Sequence, residues 1–292
     1  MSTQFIPKIL YTDFSIIQYS SSVATASSLL NLKTGWPTDF WVSAVTASEQ
    51  QLVIDFGTAT PRNYYLIDGH NLDTVIGSGS GIISIDAADN STFTSGQVTV
   101  ALLQAIIDSP STQSRAPILY NEFPDVSKRY WRVLYSGSIQ EPPQLATILI
   151  DKRFDITFPE DWGYVKEAQE FETTIKTNIT GSMLTSNNFT GRLIYELPIP
   201  NTEDNTFKTN WQRFFNTVRG NLGNFYLFDS STTVIRQMKL DSDYIPTKGI
   251  RFNRNAVGTI VMKSLETLPN WYIGPLVSTA DGIGNEEVFI DY

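Results

Sequence analysis

The sequence has no cysteine and a single histidine. Disulfides and thiolate-ligated metals are therefore excluded, and a zinc site is not expected, because it would need several His or Cys ligands. A nucleophile–base pair of the Cys–His type is excluded as well. Charged residues are sparse, at 17% of 292 positions, where about a quarter is usual. The balance is acidic, with a formal net charge of −9. No basic run exists, so the phosphate-neutralising footprint of a nucleic-acid binder is missing. No apolar stretch approaches the ~18–20 residues that a membrane-crossing helix needs, and membrane insertion is not expected. Residues Met1–Lys8 lack a basic segment followed by an apolar one, which leads to the expectation of synthesis in the cytoplasm without a secretory signal.

What the chain does have is a succession of short β-rich runs separated by Gly, Pro, Asn and Asp. Leu52–Phe56, Tyr64–Ile67, Ile82–Ile85, Gln97–Leu103 and Tyr130–Tyr135 are such runs in the first half. Thr173–Ile179, Asn224–Phe228, Val234–Leu240 and Gly258–Lys263 follow in the second. β-Branched and aromatic residues at this spacing predict an all-β protein built of sandwiches or barrels. One segment differs. Phe207, Trp211, Phe214, Phe215 and Val218 fall at i, i+4, i+7, i+8 and i+11, one face of an α-helix over 206–219. Asp204 or Asn205 can cap its start, and Gly220 is placed where a left-handed residue ends helices. Burying this stripe is worth on the order of 5–10 kcal/mol before entropy is subtracted, so the helix is expected to plug a sheet.

Gln140-Glu-Pro-Pro-Gln144 reads as a linker, since adjacent prolines do not fit a central strand. It divides the chain into 1–140, 141–268 and a C-terminal arm, 269–292, that either docks on a neighbour or is disordered.

In the first part, Trp36-Pro-Thr-Asp-Phe-Trp-Val-Ser43 precedes Gln51-Leu-Val-Ile-Asp-Phe-Gly57. Tyr65-Leu-Ile-Asp-Gly-His-Asn-Leu72 and Lys128-Arg-Tyr-Trp-Arg-Val133 come after. This order resembles the galactose-binding, discoidin-like jelly roll. The resemblance implies a binding domain that meets glycans, lipid head groups or proteins through loops at one end. Trp36, Phe40 and Trp41 are then candidates to stack on a sugar, with His70 as a polar contact. Burial of the aromatics in the core, and a structural role for His70, are the competing readings. Asp55 and Arg132 are read as a structural pair. Family members often hold a structural calcium. Asp68, Asp73, Asp86 and Asp89 supply oxygens, but their spacing matches no definite calcium loop, and no metal or other cofactor is assigned.

In the second part, Trp211-Gln-Arg-Phe-Phe-Asn-Thr-Val-Arg-Gly220 leads into Asn224-Phe-Tyr-Leu-Phe-Asp229, and Thr259-Ile-Val-Met-Lys-Ser-Leu-Glu266 closes the unit. This looks like the tail-hub family of siphophage baseplate proteins, in which a helix braces a β-sandwich or barrel. The resemblance implies a virion tail-tip protein. Its partners would be further copies of itself in a ring, hexameric or trimeric, other phage tail proteins, and possible host surface glycans. Thr173–Ile179 and Gln237–Asp241 have polar alternating faces suited to a lumen or a neighbour. Two other classes compete: a free-standing carbohydrate-binding protein, and a glycan-cleaving enzyme. For the last, Glu160/Asp161, Asp241/Asp243 and Glu286/Glu287 are the paired carboxylates, and nothing in their spacing sets any pair across a cleft. Gly77–Gly81 is glycine-rich but precedes no helical pattern, which argues against a phosphate loop.

Overall fold

The computed structural model describes residues 7–36, 39–44, 49–76, 82–103, 118–155, 166–170, 173–177, 183–187, 192–199, 205–218, 223–229, 234–240, 258–264 and 272–273. Strands follow one another as β1 (Pro7–Leu10), β2 (Gln18–Ser21), β3 (Trp41–Val42) and β4 (Glu49–His70). A short helix α1 (Leu72–Ile76) separates these from β5 (Ile82–Ala88), β6 (Val98–Leu102), β7 (Ile118–Ser136), β8 (Gln144–Asp151) and β9 (Phe154–Asp155). Then come β10 (Lys166–Glu170), β11 (Thr173–Thr177), β12 (Met183–Asn187) and β13 (Arg192–Ile199). The chain continues through α2 (Asn205–Val218), β14 (Phe225–Asp229), β15 (Val234–Leu240), β16 (Gly258–Ser264) and β17 (Tyr272–Ile273). The protein is all-β with one long amphipathic helix, as the sequence predicts.

Eight strands form a sheet in the order β3-β8-β4-β7-β5-β6, with β2 on β4 and β17 on β7. Two strands in it are very long: β4 has 22 residues and β7 has 19. They run antiparallel, and their register breaks between Asp55 and Thr60 and again between Arg62 and Tyr64. Bulges bend strands, so the pair folds over and carries the sheet from one layer of a sandwich into the other. Gly57 sits at this break with φ +74°, and its amide donates to the Asp55 carboxylate at 2.7 Å. Pro61 is tolerated here because the ladder is already interrupted. Leu52, Ile54, Phe56, Ile83, Ile85, Trp131, Val133 and Tyr135 of one layer meet Tyr65, Ile67, Leu119, Leu145, Ile148 and Ile150 of the other in one apolar core.

A second sheet of seven strands has the order β10-β13-β16-β15-β14-β1-β9. The N-terminal strand β1 therefore lies between β14 and β9, far along the chain, with Lys8 opposite Asp155 and Ile9 opposite Phe154. The sandwich leaves this sheet after β1 and returns to it at β9. Conversely β8, which follows Pro142-Pro143, is a sandwich strand. The prolines precede that strand, and the Pro143 carbonyl accepts from the Ser43 amide at 3.0 Å beside β3, so they do not end the unit.

Alternation assigns the two faces of the second sheet to different neighbours. Leu10, Tyr226, Phe228 and Ile235 pack on Tyr64, Leu66, Ile118, Tyr120 and Leu149, the outer side of the sandwich. On the opposite face Ile9, Tyr11, Phe225, Leu227, Met238 and Met262 pack with Phe154 against α2. That helix buries Trp211, Phe214, Phe215 and Val218 as predicted. Phe214 is central, with edge-on contacts to Tyr11 at 5.3 Å and Phe225 at 5.0 Å. Gly220 lies outside the described residues. A glycine requirement is visible at Gly223 instead: its amide donates to the Val218 carbonyl at 2.7 Å, and a Cβ there would meet that oxygen at 2.8 Å. Arg213 leaves the helix to bind Asp151 of β8 at 3.0 Å.

Gln237, read from the sequence as facing a lumen or a neighbour, is buried and donates to the Gly35 carbonyl at 2.7 Å. Tyr272 and Ile273 pair in parallel with Ile118 and Leu119 of β7. The rest of the expected arm lies outside the described residues, as do the three carboxylate pairs.

Candidate functional site

Strand ends and connections place the loops of the sandwich. Glu49, Ser136 and Ile82 stand in one cross-strand row, and Trp41, Leu145 and His70 in another. The segments that join these rows, among them 71–76 and 137–143, lie at the end away from the β4–β7 fold-over. Hydrogen bonds close that end. Asn71 donates to the Pro142 carbonyl at 3.1 Å and accepts from the Gln144 amide at 2.8 Å. Gln140 donates its amide to the Val75 carbonyl at 2.7 Å, and Thr74 donates to Glu141 at 2.8 Å. His70 is buried, and its Nδ1 accepts from the Leu72 amide at 3.3 Å where α1 starts. The geometry is that of a loop-fixing histidine.

The four sequence candidates are not brought together. Trp41 is 1% exposed and belongs to the sandwich core, so it has no face to offer a ligand. Phe40 is half-buried, and its carbonyl accepts from Ser27 and from Asn31, each at 2.8 Å. Trp36 alone among them is exposed, at 41%. It lies beside the second sheet, not at the loop end. Gly35, with φ +67°, turns its carbonyl toward Gln237, and a Cβ there would sit 3.6 Å from Phe14. The Trp36 amide donates to Thr34 at 3.2 Å and its carbonyl accepts from the Asp39 amide at 3.1 Å. Trp36 is thus an open indole on a loop pinned from both sides. Such a ring can stack on an apolar sugar face or on another protein.

The carboxylates are engaged. Asp55 does not pair with Arg132. It receives Nε and Nη2 of Arg129, both at 2.8 Å, and this lowers its pKa below the ordinary carboxylate value. Arg132 instead donates to Asp86 at 2.9 Å and to Gln51 at 3.0 Å, with its guanidinium over the Phe93 ring. Register explains the exchange: Asp86 stands directly opposite Arg132, whereas Asp55 is opposite Tyr130, one diagonal step away. The calcium candidates are dispersed too. Asp68 accepts from Tyr226 at 2.8 Å, Asp89 binds Lys128 at 2.8 Å, and the side chain of Asp73 lies outside the described residues. Among the described residues no three metal-ligating groups converge. Sequence reasoning missed Arg129, three residues from the arginine it chose, and Asn71, and it turned Gln237 toward a lumen or neighbour where the structure turns it to Gly35. Only the X-Asn-X step after His70 hinted at a loop-bridging amide.

No family model and no curated protein matches this sequence. Among solved structures, it is similar to chitosan-binding module 1 from a chitosanase/glucanase of Paenibacillus sp. IK-5. Identity is 14%, over 48% of this chain and 98% of that one, with a TM-score of 0.36. A CBM32 module of Clostridium perfringens, in complex with GalNAc-β-1,3-galactose, matches at 6% identity over 49% and 99%, with a TM-score of 0.36. The CBM32 of AlyQ, in complex with 4,5-unsaturated mannuronic acid, matches at 18% over 48% and 98%, also at 0.36. The strand order and register described above define the fold on their own.

Proposed function

We propose that this chain is a non-enzymatic structural subunit of a bacteriophage tail tip, assembling with copies of itself into a ring around the tail channel. One observation carries the reading. β10 and β13 pair as a hairpin off the margin of the second sheet, and β11 and β12 continue it. Among the described residues, β11 and β12 pair only with each other. A lone two-stranded ribbon is marginal in water, and its open edges are templates for another chain. An arm of this kind is supported when it lies against a neighbouring subunit. Around β1, β14 and β15 the faces of the sheet are occupied by α2 and by the sandwich, which points to the margin and the arm for assembly. Light scattering after size exclusion, with negative-stain imaging, tests it. The full chain is expected to form a closed ring, and replacement of 173–187 by a short turn should give smaller species with the sandwich intact. A full chain that stays monomeric at hundreds of micromolar, alone and with adjacent tail proteins, refutes it.

A second reading, carbohydrate binding, is favoured by the pinned and exposed Trp36. Calorimetry against host-surface glycans should show binding that Trp36→Ala removes. Binding unchanged by that substitution places the contact elsewhere.

A further inference from the structure

The sandwich has an outermost strand of unusual character. β6 is the last strand in the order β3-β8-β4-β7-β5-β6, and among the described residues its far edge is unpaired. Open edges are normally blunted by Lys, Pro or charge. Here there is no charged residue anywhere between Asp89 and Asp108, and β6 reads Val98-Thr-Val-Ala-Leu102. Three large apolar side chains are exposed here: Val98 at 42% and Leu102 at 64% in β6, and Ile82 on the adjoining strand at 46%.

We infer that this edge pairs with the same edge of a second copy, antiparallel across a two-fold axis. Three features select that occupant. The edge offers backbone donors and acceptors, which a strand satisfies and an apolar ligand does not. The chain carries a net charge of −9, so two copies repel except where they meet through a neutral stretch. The register also allows it. Ala101 lies opposite Ile85 and Thr99 opposite Asp86, so Val100 is the extra residue of a bulge. Leu102, opposite Ser84, and Thr99, bonded to Asp86 at 2.8 Å, therefore share the outer face. A two-fold pairing centred between Val100 and Ala101 sets Thr99 opposite the second copy's Leu102 on one common face. Each Leu102 is then covered by the other copy's Thr99. This pairing does not depend on the arm or on a tail ring.

The test uses the absence of cysteine. A Thr99→Cys/Leu102→Cys variant, treated with a mild oxidant, should cross-link into dimers only, because directly opposite residues are within disulfide reach while i and i+3 on one strand are not. Sedimentation velocity should show a two-fold complex that Leu102→Lys, a change at an exposed position that leaves the chain folded by circular dichroism, reduces to its half. Replacing 173–187 by a turn should leave this pair intact. No intermolecular disulfide at tens of micromolar, or association indifferent to Leu102→Lys, overturns the inference. Loss of association only on deleting the arm overturns it as well, and leaves the ring reading standing.

Discussion

Replacing Asp86 by alanine separates two ion pairs that the sequence alone does not distinguish. The Asp86 side chain is 2% exposed and that of Arg132 is 13% exposed. The carboxylate takes Nε of Arg132 at 2.9 Å and the Thr99 hydroxyl at 2.8 Å. Its removal leaves a largely buried guanidinium with Gln51 and the face of Phe93. Breaking one side of a buried pair costs about 3–5 kcal/mol. Arg132→Met in the Asp86→Ala background should recover most of that loss, because the orphaned charge disappears. The pair at Asp55 is different, since the Arg129 side chain is 43% exposed. Asp55→Ala should cost less than Asp86→Ala, since solvent screens the Arg129 pair. Urea unfolding of the three variants against the parent protein measures the difference. A larger loss at Asp55 than at Asp86, or no recovery in the double variant, would refute the register argument.

Phe214→Ala should destabilise by about 3–5 kcal/mol in the same assay, because it empties the centre of the cluster beneath α2; a loss under about 1 kcal/mol would mean the helix is not packed as described. Burial pushes the Tyr11 phenol up to about 12 and raises Tyr19, Tyr64 and Tyr135 as well. Their folded pKa values lie above the unfolded one, so their contribution is complete below about pH 10 and is lost as pH rises above it. Tyrosinate absorbance should therefore climb in step with alkaline unfolding for these four, and a smooth early titration of all thirteen tyrosines would contradict it.

Local signals were readable where one element decides the outcome. The aromatic stripe of α2 placed the helix within a residue at each end, since 3.6-residue periodicity needs no partner to be seen. Val234–Leu240 and Gly258–Lys263 were equally plain. What escaped depended on pairing. Leu52–Phe56 and Tyr64–Ile67 look like separate strands because Gly57 and Pro61 interrupt them, yet they are parts of β4, held by an equally long β7. The choice of Asp86 by Arg132 requires knowing that β5 flanks β7. The burial of Trp41 requires β3 to lie on β8. Gln237 looks solvent-facing until Gly35, some two hundred positions earlier in the chain, is placed against it.

The position of β1 sets an order of events. Once β8 has emerged the sandwich lacks only the short β17, but β1, which can pair early with β9, waits for β14, more than two hundred residues downstream of it. Until then Tyr64, Leu66, Tyr120 and Leu149 face water as a ready-made apolar wall. During synthesis the finished sandwich is a platform onto which the remaining chain must fold, and slowing that late stage, for instance with rare codons after Asp155, prolongs the interval in which the wall is open to aggregation.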